Sequence, residues 1–142
     1  MTDFLKVENF SGAQCSPLTL AYIGDAVFEL LVRAHVLSLS GNTQTAKLHK
    51  MSAELVCAKA QNDAYFKIYD SLSPQELQVL KRGRNARSFS TAKNASVSDY
   101  RHATGVEALF GYLYLRGENE RIEELFHAII QSVKVSYDRR IL

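Results

Sequence analysis

Two carboxylates stand inside apolar helical segments, where they could bind a metal ion. Asp25 lies in the segment 18–33, which is apolar almost all round and also contains Gly24. A buried carboxylate that has lost its partner costs roughly 3–5 kcal/mol, and glycine inside a helix costs about 1 kcal/mol relative to alanine. Two explanations stay open: Asp25 pairs with a cation while Gly24 admits a neighbouring helix, or Asp25 binds a metal ion at a helix crossing.

The second carboxylate, Glu107, lies on one face of a predicted helix over 97–115. Gly105 and Gly111 flank it, and small residues let two helix backbones approach closely. Such a crossing would bring Glu107 within reach of the same ion as Asp25. Because Mg²⁺ is typically held by one or two protein carboxylates, together with water and substrate phosphate oxygens, two carboxylates suffice. Asp25 and Glu107 are therefore candidate ligands of one Mg²⁺ ion.

The segment 18–33 has two apolar sides. We expect one side to face the core, and it is formed by Ile23, Val27, Leu30, Leu31 and Ala34. The other side carries Asp25 together with Leu18, Ala21, Tyr22 and Glu29. This second side is too apolar to face water, and a two-fold interface in which the same patch meets itself is the commonest cover. We therefore predict a homodimer with Tyr22 in its interface.

Helical patterns and caps account for most of the chain, which predicts an all-α fold. Ser16-Pro17 and the capping box Ser73-Pro74-Gln75-Glu76 are helix starts, and Gly41 is a helix stop. The predicted helices run from Pro17 to near Gly41, from Thr45 to Tyr69, from Pro74 into 81–87, from Val97 to Leu115 and from Asn119 to about Tyr137. We expect a single domain over 1–142, with a loose arm at 1–15 and a loop at 88–98.

The composition is that of an ordinary globular domain. Of 142 residues, 46% are hydrophobic and 23% are charged, which argues against disorder. No apolar run approaches the roughly 18 residues of a transmembrane helix, and the N-terminus lacks the order of a signal peptide. The two cysteines, Cys15 and Cys57, have no metal-type spacing. We therefore expect a cytoplasmic protein without a membrane partner.

Positive charge is concentrated between residues 81 and 101, where six cations face one anion, Asp99. At 81–87 the cluster is either a solvated helix end, whose cations complement the helix dipole, or a contact surface for phosphates. Arginine suits bidentate phosphate binding, and A-form RNA is recognised mainly through its backbone and 2′-hydroxyl groups. The predicted RNA-binding residues are Lys81, Arg82, Arg84, Asn85 and Arg87, with His49 and Lys50 as further candidates.

Other candidate residues are weaker. Glu29 is spaced to form a salt bridge with Arg33, which is favoured over metal binding. The carboxylates of Glu120, Glu123 and Glu124 are spaced as in all-α nucleotide pyrophosphohydrolases, but the sequence lacks the second such pair that those enzymes need. The four histidines show no zinc spacing.

Two motifs resemble the ribonuclease III family. Ala-Tyr-Ile-Gly-Asp-Ala-Val, around Asp25, is similar to that family's signature helix, and Thr104-Gly-Val-Glu-Ala-Leu-Phe-Gly111 is similar to its second active-site helix. Carboxylates of the family pattern are replaced here by Leu18, Ala21, Thr104 and, in a weaker alignment, Thr45. These departures are shared with the Mini-III ribonucleases, short relatives without a double-stranded-RNA-binding domain, which this chain resembles from about Pro17 to Leu125.

The resemblance implies a ribonuclease III-like helical bundle acting as a homodimeric, Mg²⁺-dependent endonuclease. It also implies double-stranded RNA as the substrate, usually precursor large-subunit ribosomal RNA. Asp25 and Glu107 correspond to metal ligands of the family, which implies that they are catalytic, Mg²⁺-binding residues. Tyr22 corresponds to an aromatic residue packed near the two-fold axis. Two alternatives stay open: a non-catalytic module of the same fold that binds structured RNA, and another magnesium enzyme acting on nucleotides.

Overall fold

The computed structural model describes residues 6–8, 15–86 and 96–131, and in this part the chain forms six α-helices and no strand. The helices are α1 (Pro17–Ser40), α2 (Thr45–Val56), α3 (Ala58–Tyr69), α4 (Pro74–Asn85), α5 (Val97–Leu115) and α6 (Asn119–Gln131). The predicted all-α fold is confirmed. Most of the predicted arm at 1–15 and loop at 88–98, and the predicted helix end at Tyr137, lie outside the described residues.

Local caps set both ends of α1. Ser16 is extended, and its hydroxyl accepts a hydrogen bond from the Thr19 N–H at 3.2 Å, while Pro17 occupies the first helical position. At the other end Gly41 has φ +65°, and its N–H donates to the Leu37 carbonyl at 2.9 Å. Both ends agree with the sequence prediction because each depends on a few adjacent residues.

The prediction of one helix over 45–69 is wrong, because the chain breaks at Cys57. Cys57 has an extended backbone (φ −63°, ψ 157°), and its N–H donates to Ala53, which closes α2. No proline or glycine marks this break. The break rotates α3 relative to a continuous helix, so the buried face of α3 is formed by Gln61, Ala64, Tyr65 and Ile68.

The core is built around α5, which packs against α1, α3 and α4. Its N-terminus is capped by Ser96, whose hydroxyl accepts from the Asp99 N–H at 3.0 Å. Ten of its residues are buried, and the Phe110 ring meets Phe28 of α1 edge to face at 5.3 Å. Since α5 is enclosed on several sides, its neighbours determine where each of its side chains points.

The buried face of α1 differs from the predicted one. Of the five residues expected in the core, only Val27 is buried, and Leu30 is 54% exposed. The buried face instead includes Leu20, Gly24 and Phe28, which are spaced four residues apart. Because α5 approaches α1 at Gly24, that glycine and the residues one turn away on either side turn inward.

An ion pair between the buried Glu76 and the half-buried Arg121 joins α4 to α6. The predicted capping box is present: Ser73 N–H donates to Glu76 Oε1 at 2.8 Å, and Glu76 N–H donates to Ser73 Oγ at 3.2 Å. Arg121 donates to both carboxylate oxygens of Glu76 at 2.9 Å and to the Ser71 carbonyl at 2.8 Å. This pair fixes the N-terminus of α4 against α6.

No helix among the described residues is long and apolar enough to cross a membrane.

Candidate active site

Two glycines bring the backbones of α1 and α5 into direct contact. A Cβ on Gly24 would lie 1.7 Å from the Glu107 carbonyl oxygen, and a Cβ on Gly111 would lie 1.9 Å from the Leu20 carbonyl oxygen. Neither position can hold a side chain unless the helices move apart. Asp25, next to Gly24, is therefore held beside Glu107 by backbone contact.

A separate glycine pair joins α4 to α5. Gly105 faces α4, where a Cβ would lie 2.8 Å from the Leu80 carbonyl oxygen, and a Cβ on Gly83 would lie 2.9 Å from the Gly105 Cα. The expectation that Gly105 and Gly111 serve one crossing is therefore wrong. The two glycines lie on opposite sides of Glu107 and contact different helices.

Asp25 and Glu107 line one open cleft of about 680 Å³ between α1 and the first half of α5. Asp25 is exposed, whereas Glu107 is half-buried. Their carboxyl groups are close enough for Asp25 to raise the pKa of Glu107. The remaining lining residues are Leu18, Ala21, Tyr22, Ile23, Ala26, Glu29, Tyr100 and Thr104. The structure thus brings together the two carboxylates that the sequence singles out.

The environment of Glu107 disfavours its ionised form. Burial, the hydrogen bond with Asp25 and the negative charge of Asp25 raise the pKa of Glu107 to about 8, against an opposing hydrogen bond from Gln61. Among the described residues neither Asp25 nor Glu107 forms a salt bridge. The first explanation for Asp25, pairing with a cation of the protein, therefore has no support in this part of the chain.

The cleft has the chemistry of a small site for a hard cation. Two carboxylates, one accessible and one half-buried, offer oxygen ligands on one side and leave the other side open to water and phosphate, which is how Mg²⁺ is usually held. Within the described residues no three or more His, Cys, Asp or Glu side chains are grouped as a metal site. The donor set thus fits magnesium better than zinc, which takes four nitrogen or sulfur ligands in its structural sites.

Gln61 of α3 influences the site although the sequence does not point to it. It is 4% exposed, and it acts on the pKa of Glu107 in the lowering direction, against the larger effects that raise that pKa. A continuous helix over 45–69 would turn the neighbouring residue, Asn62, toward the core. The break at Cys57 turns Gln61 inward instead, and no local sequence signal reports that break.

Tyr22 and Leu18 form an exposed apolar rim beside Asp25. Tyr22 is 82% exposed and Leu18 is 41% exposed in the single chain, and both line the cleft. The two side chains form a small exposed apolar patch at the edge of the cleft. The rim lies on the side of α1 that we predict to be an interface.

The predicted basic cluster lies at the end of α4. Arg82 and Asn85 are exposed, while Lys81 and Arg84 are half-buried. Arg84 donates to the buried Tyr65 hydroxyl at 3.1 Å and to the Asn85 side-chain oxygen at 3.1 Å. The Lys81 ammonium lies 5.7 Å from the centre of the Tyr69 ring. Part of the cluster therefore also anchors α4 to α3.

The other predicted RNA-binding residues lie elsewhere. Arg87 is outside the described residues. His49 and Lys50 are exposed on α2, which packs mainly against α1, whereas α4 packs mainly against α5. His49 also lines a small cavity of about 160 Å³ between α1 and α2.

The weaker candidates have structural roles. The predicted salt bridge between Glu29 and Arg33 is present at 3.0 Å. Glu124 pairs with Arg121, and Glu120 and Glu123 are exposed on α6. Cys15 is buried, Cys57 is exposed, and the two do not form a disulfide with each other.

Comparison with known proteins identifies the class. The Ribonuclease III domain matches residues 18–118. A crystal structure of a Fusobacterium nucleatum protein superposes with a TM-score of 0.75 at 29% identity, covering 89% of this chain and 98% of that one.

Relatives of higher sequence identity indicate a group within this family. A Mini-ribonuclease 3 from Clostridium tetani is 48% identical over 117 residues, covering 82% of this chain and 78% of the relative. A Mini-ribonuclease 3 from Brevibacillus brevis is 49% identical over 110 residues, covering 78% of this chain and 81% of the relative. The chain belongs to the ribonuclease III family and, within it, to the Mini-ribonuclease 3 group.

Proposed function

We propose that this protein is a magnesium-dependent endoribonuclease that hydrolyses double-stranded RNA in the cleft of Asp25 and Glu107. The observation that carries the proposal is the pair of adjacent carboxylates, held together by the glycine crossing of α1 and α5 without a cation among the described residues. Membership of the Mini-ribonuclease 3 group supports the reaction class.

The two carboxylates would contribute to ion binding in different ways. Asp25 is exposed and accessible to an ion arriving from solvent, whereas Glu107 is half-buried and fixed by its helix. A bound Mg²⁺ supplies positive charge for attack of water on the phosphodiester and for departure of the 3′ oxygen. Positive charge between the carboxylates also favours the ionised form of Glu107, which in the free protein competes with its protonated form.

The rim of Tyr22 and Leu18 supports a homodimer. In a two-fold interface each rim would be covered by the other copy, and the two clefts would be related by the same axis. Two equivalent sites could each cut one strand of a duplex lying across both. We expect Tyr22→Ala to lower the dimer fraction in sedimentation at micromolar concentration and to abolish duplex cleavage. A wild-type monomer that cuts both strands would contradict this arrangement.

The proposal extends to the natural substrate and the compartment. We infer precursor large-subunit ribosomal RNA as the substrate from the resemblance to Mini-III ribonucleases, and the exposed cations at the end of α4 suit the phosphates of an RNA duplex. The two cysteines do not form a disulfide with each other, which suits the reducing cytoplasm.

Cleavage of a labelled RNA duplex with and without Mg²⁺ tests the proposal. We expect cleavage by the wild type only when the ion is present, and none by Asp25→Asn or Glu107→Gln, with RNA binding retained. Glu29→Gln is the matched control, because Glu29 lines the same cleft but is already paired with Arg33. Substantial Mg²⁺-dependent cleavage by either of the first two variants would overturn the assignment.

A non-catalytic RNA-binding module is the second candidate. It is favoured by the small acidic set, since the described residues hold no metal-type group of three or more ligands. The same experiment separates the two functions: a module would bind the duplex and leave it intact at every Mg²⁺ concentration.

A further inference from the structure

Aromatic rings of α3 and α5 form a group that ends in an exposed phenyl ring. The Tyr65 ring is buried, and its centre lies 5.1 Å from the centre of the Phe66 ring. The His102 ring of α5 lies against both, with its centre 4.4 Å from that of Tyr65 and 4.9 Å from that of Phe66. Phe66 is nevertheless 58% exposed, and of the Phe and Tyr side chains that the structure describes only Tyr22 is more exposed. The neighbouring rings therefore hold Phe66 in place while one side of it faces solvent.

Two cations of α4 lie beside this ring group. Arg84 donates a hydrogen bond to the Tyr65 hydroxyl at 3.1 Å. The Lys81 ammonium lies 5.7 Å from the centre of the Tyr69 ring, which is 5.8 Å from that of Tyr65. Neither cation forms a salt bridge within the described ranges 6–8, 15–86 and 96–131. The α4 side of the ring group therefore carries positive charge that no carboxylate in these ranges pairs with.

Carboxylates flank the rings along α3 and α5. Asp63 and Asp70 are exposed and lie one turn to either side of Phe66 on α3. Asp99 lies one turn before His102 on α5. Because these carboxylates repel anions, a ligand that covers Phe66 must direct its own negative charge toward α4. A ligand with a flat apolar face and an anionic group at one edge fits this arrangement, and a nucleotide has that form.

We propose that Phe66 and His102 form a stacking surface, the Phe66–His102 surface, for one unpaired base of the RNA, whose phosphates are directed toward the end of α4. This inference rests on the function proposed above and adds that the preferred substrate is a duplex carrying an unpaired nucleotide. Bases within a duplex are stacked on one another, whereas those of bulges and single-stranded ends can be splayed out onto aromatic side chains. Such stacking tolerates any base, because every base has a π-face.

The environment of His102 suits a stacking role. Burial lowers the pKa of His102, and the charge of Arg84 acts in the same direction, against a hydrogen bond with Ser98 and the charge of Asp99. At neutral pH the imidazole is therefore uncharged and extends the aromatic surface of Phe66. The positive charge for the phosphates comes from α4 instead.

The affinities of three RNAs, measured in chelator, test the inference. They are a fully paired duplex, the same duplex with a one-nucleotide bulge, and the same duplex with a one-nucleotide 3′ overhang. We expect the wild type to bind at least one of the last two about 5–150-fold more tightly than the paired duplex, the range for one base–aromatic stack. The RNA that gains affinity distinguishes a bulge from an end as the source of the base. Phe66→Leu should bring the ratio close to one and leave the affinity for the paired duplex unchanged.

Two variants and one spectroscopic signal separate stacking from a general loss of affinity. Phe66→Trp keeps an aromatic ring and should retain the ratio. Leu37→Ala is the matched control, because Leu37 is 54% exposed on α1 and lies outside the ring group; it should also retain the ratio. 2-Aminopurine at the unpaired position should lose fluorescence on binding the wild type but not on binding Phe66→Leu.

A wild type with equal affinity for all three RNAs, or a Phe66→Leu variant that keeps the preference, overturns the inference. Equal weakening of all three RNAs by Phe66→Leu also overturns it, because the ring would then contact the duplex itself. If Phe66→Leu and wild type bind every RNA alike, the surface belongs to a protein partner instead. Cleavage of the paired duplex in Mg²⁺ without any preference leaves the proposed function intact, whereas a folded wild type that cleaves none of the three RNAs overturns the proposed function.

Discussion

Two glutamates with little solvent exposure occupy opposite kinds of surroundings. Glu76 is 7% exposed and receives hydrogen bonds from Arg121 and from the Ser73 backbone. Burial alone would raise the pKa of Glu76, but those hydrogen bonds and the charge of Arg121 lower its pKa overall. Glu107 is also withdrawn from solvent, but its nearest charged group is Asp25, and its pKa rises to about 8.

The difference separates a carboxylate that stabilises the fold from one available for binding. Glu76 has its charge and its hydrogen bonds satisfied within the protein, so nothing further is needed at the N-terminus of α4. Glu107 lies beside Asp25, whose negative charge adds to the free-energy cost of ionising Glu107. A carboxylate in that position is a candidate functional group because an external cation can remove both costs.

The largest expected effect comes from Gly24→Ala, which acts on the backbone of Glu107 itself. The new methyl group would overlap the Glu107 carbonyl, and a helix backbone cannot move as a side chain can. We expect the loss of unfolding free energy to exceed the usual overpacking range of about 1–3 kcal/mol, as measured by urea denaturation.

Gly83→Ala at the α4–α5 crossing is the comparison variant. Its new Cβ would lie 2.8 Å from the Ala108 Cβ, a milder overlap than the one at Gly24. We expect a smaller loss there. Equal losses at the two positions would mean that the α1–α5 crossing adapts as readily as the α4–α5 crossing.

Removing the cation beside Glu76 and removing the carboxyl group of Glu107 should change the free energy of unfolding by unequal amounts. Arg121→Met leaves Glu76 buried without its cation and should destabilise the protein by about 3–5 kcal/mol. Because the pKa of Glu107 is about 8, its carboxyl is mostly neutral at pH 7, as a glutamine is. Glu107→Gln should therefore change the stability of the metal-free protein by less than about 1 kcal/mol at neutral pH. Thermal denaturation in chelator measures both. Arg116→Met, in an exposed pair with Glu118, controls for loss of an arginine. A larger loss in Glu107→Gln than in Arg121→Met would reverse the comparison.

The pH dependence of stability should differ between the wild type and Glu107→Gln, because the pKa of Glu107 is raised. Because the folded-state pKa of Glu107 is raised from 4.5 to about 8, the folded protein binds the proton more tightly than the unfolded chain. The resulting stabilisation is fully present below about pH 4.5 and is lost as the pH rises through about 8. We expect metal-free wild type to lose stability over this window relative to Glu107→Gln in urea titrations. Parallel profiles would show that Glu107 does not titrate there.

The smallest expected effect concerns RNA binding by two arginines, one in a salt bridge and one exposed. Arg33 is neutralised by Glu29, whereas Arg82 is exposed and has no salt bridge among the described residues. Arg82→Gln should reduce the slope of log affinity against log salt for an RNA duplex by about 0.7–0.9, the value for one phosphate contact. Arg33→Gln should leave the slope nearly unchanged. Equal slopes for wild type and Arg82→Gln would identify the end of α4 as a solvated helix terminus.

The sequence predicts features that depend on adjacent residues. Ser16, Gly41 and the box of Ser73 and Glu76 define helix ends through hydrogen bonds a few residues long, and all are found in place. The proximity of Asp25 and Glu107 was also predictable, because glycines beside both carboxylates suggested a close crossing and the motifs resemble a known pair of helices.

Features set by packing were not predictable in this way. Hydrophobicity alone placed Leu30 in the core, but α5 selects the face of α1 that carries Gly24. Gln61 turns inward because of a break at Cys57 that neither proline nor glycine announces. Gly105 meets α4 rather than α1, since a helix enclosed on several sides offers each neighbour a different glycine.

The α1–α5 crossing also governs how a bound ion is coupled to folding. Asp25 and Glu107 are 82 positions apart in the chain, and each comes from a helix whose contact with the other forms much of the core. Partial opening at α6 or at the α2 end can leave the pair intact, whereas separating the pair requires separating the two central helices. An ion shared by both carboxylates would therefore bind only forms of the chain in which α1 and α5 stay packed together, and its binding free energy would add to the protection of the core amides of α1 and α5 against hydrogen exchange.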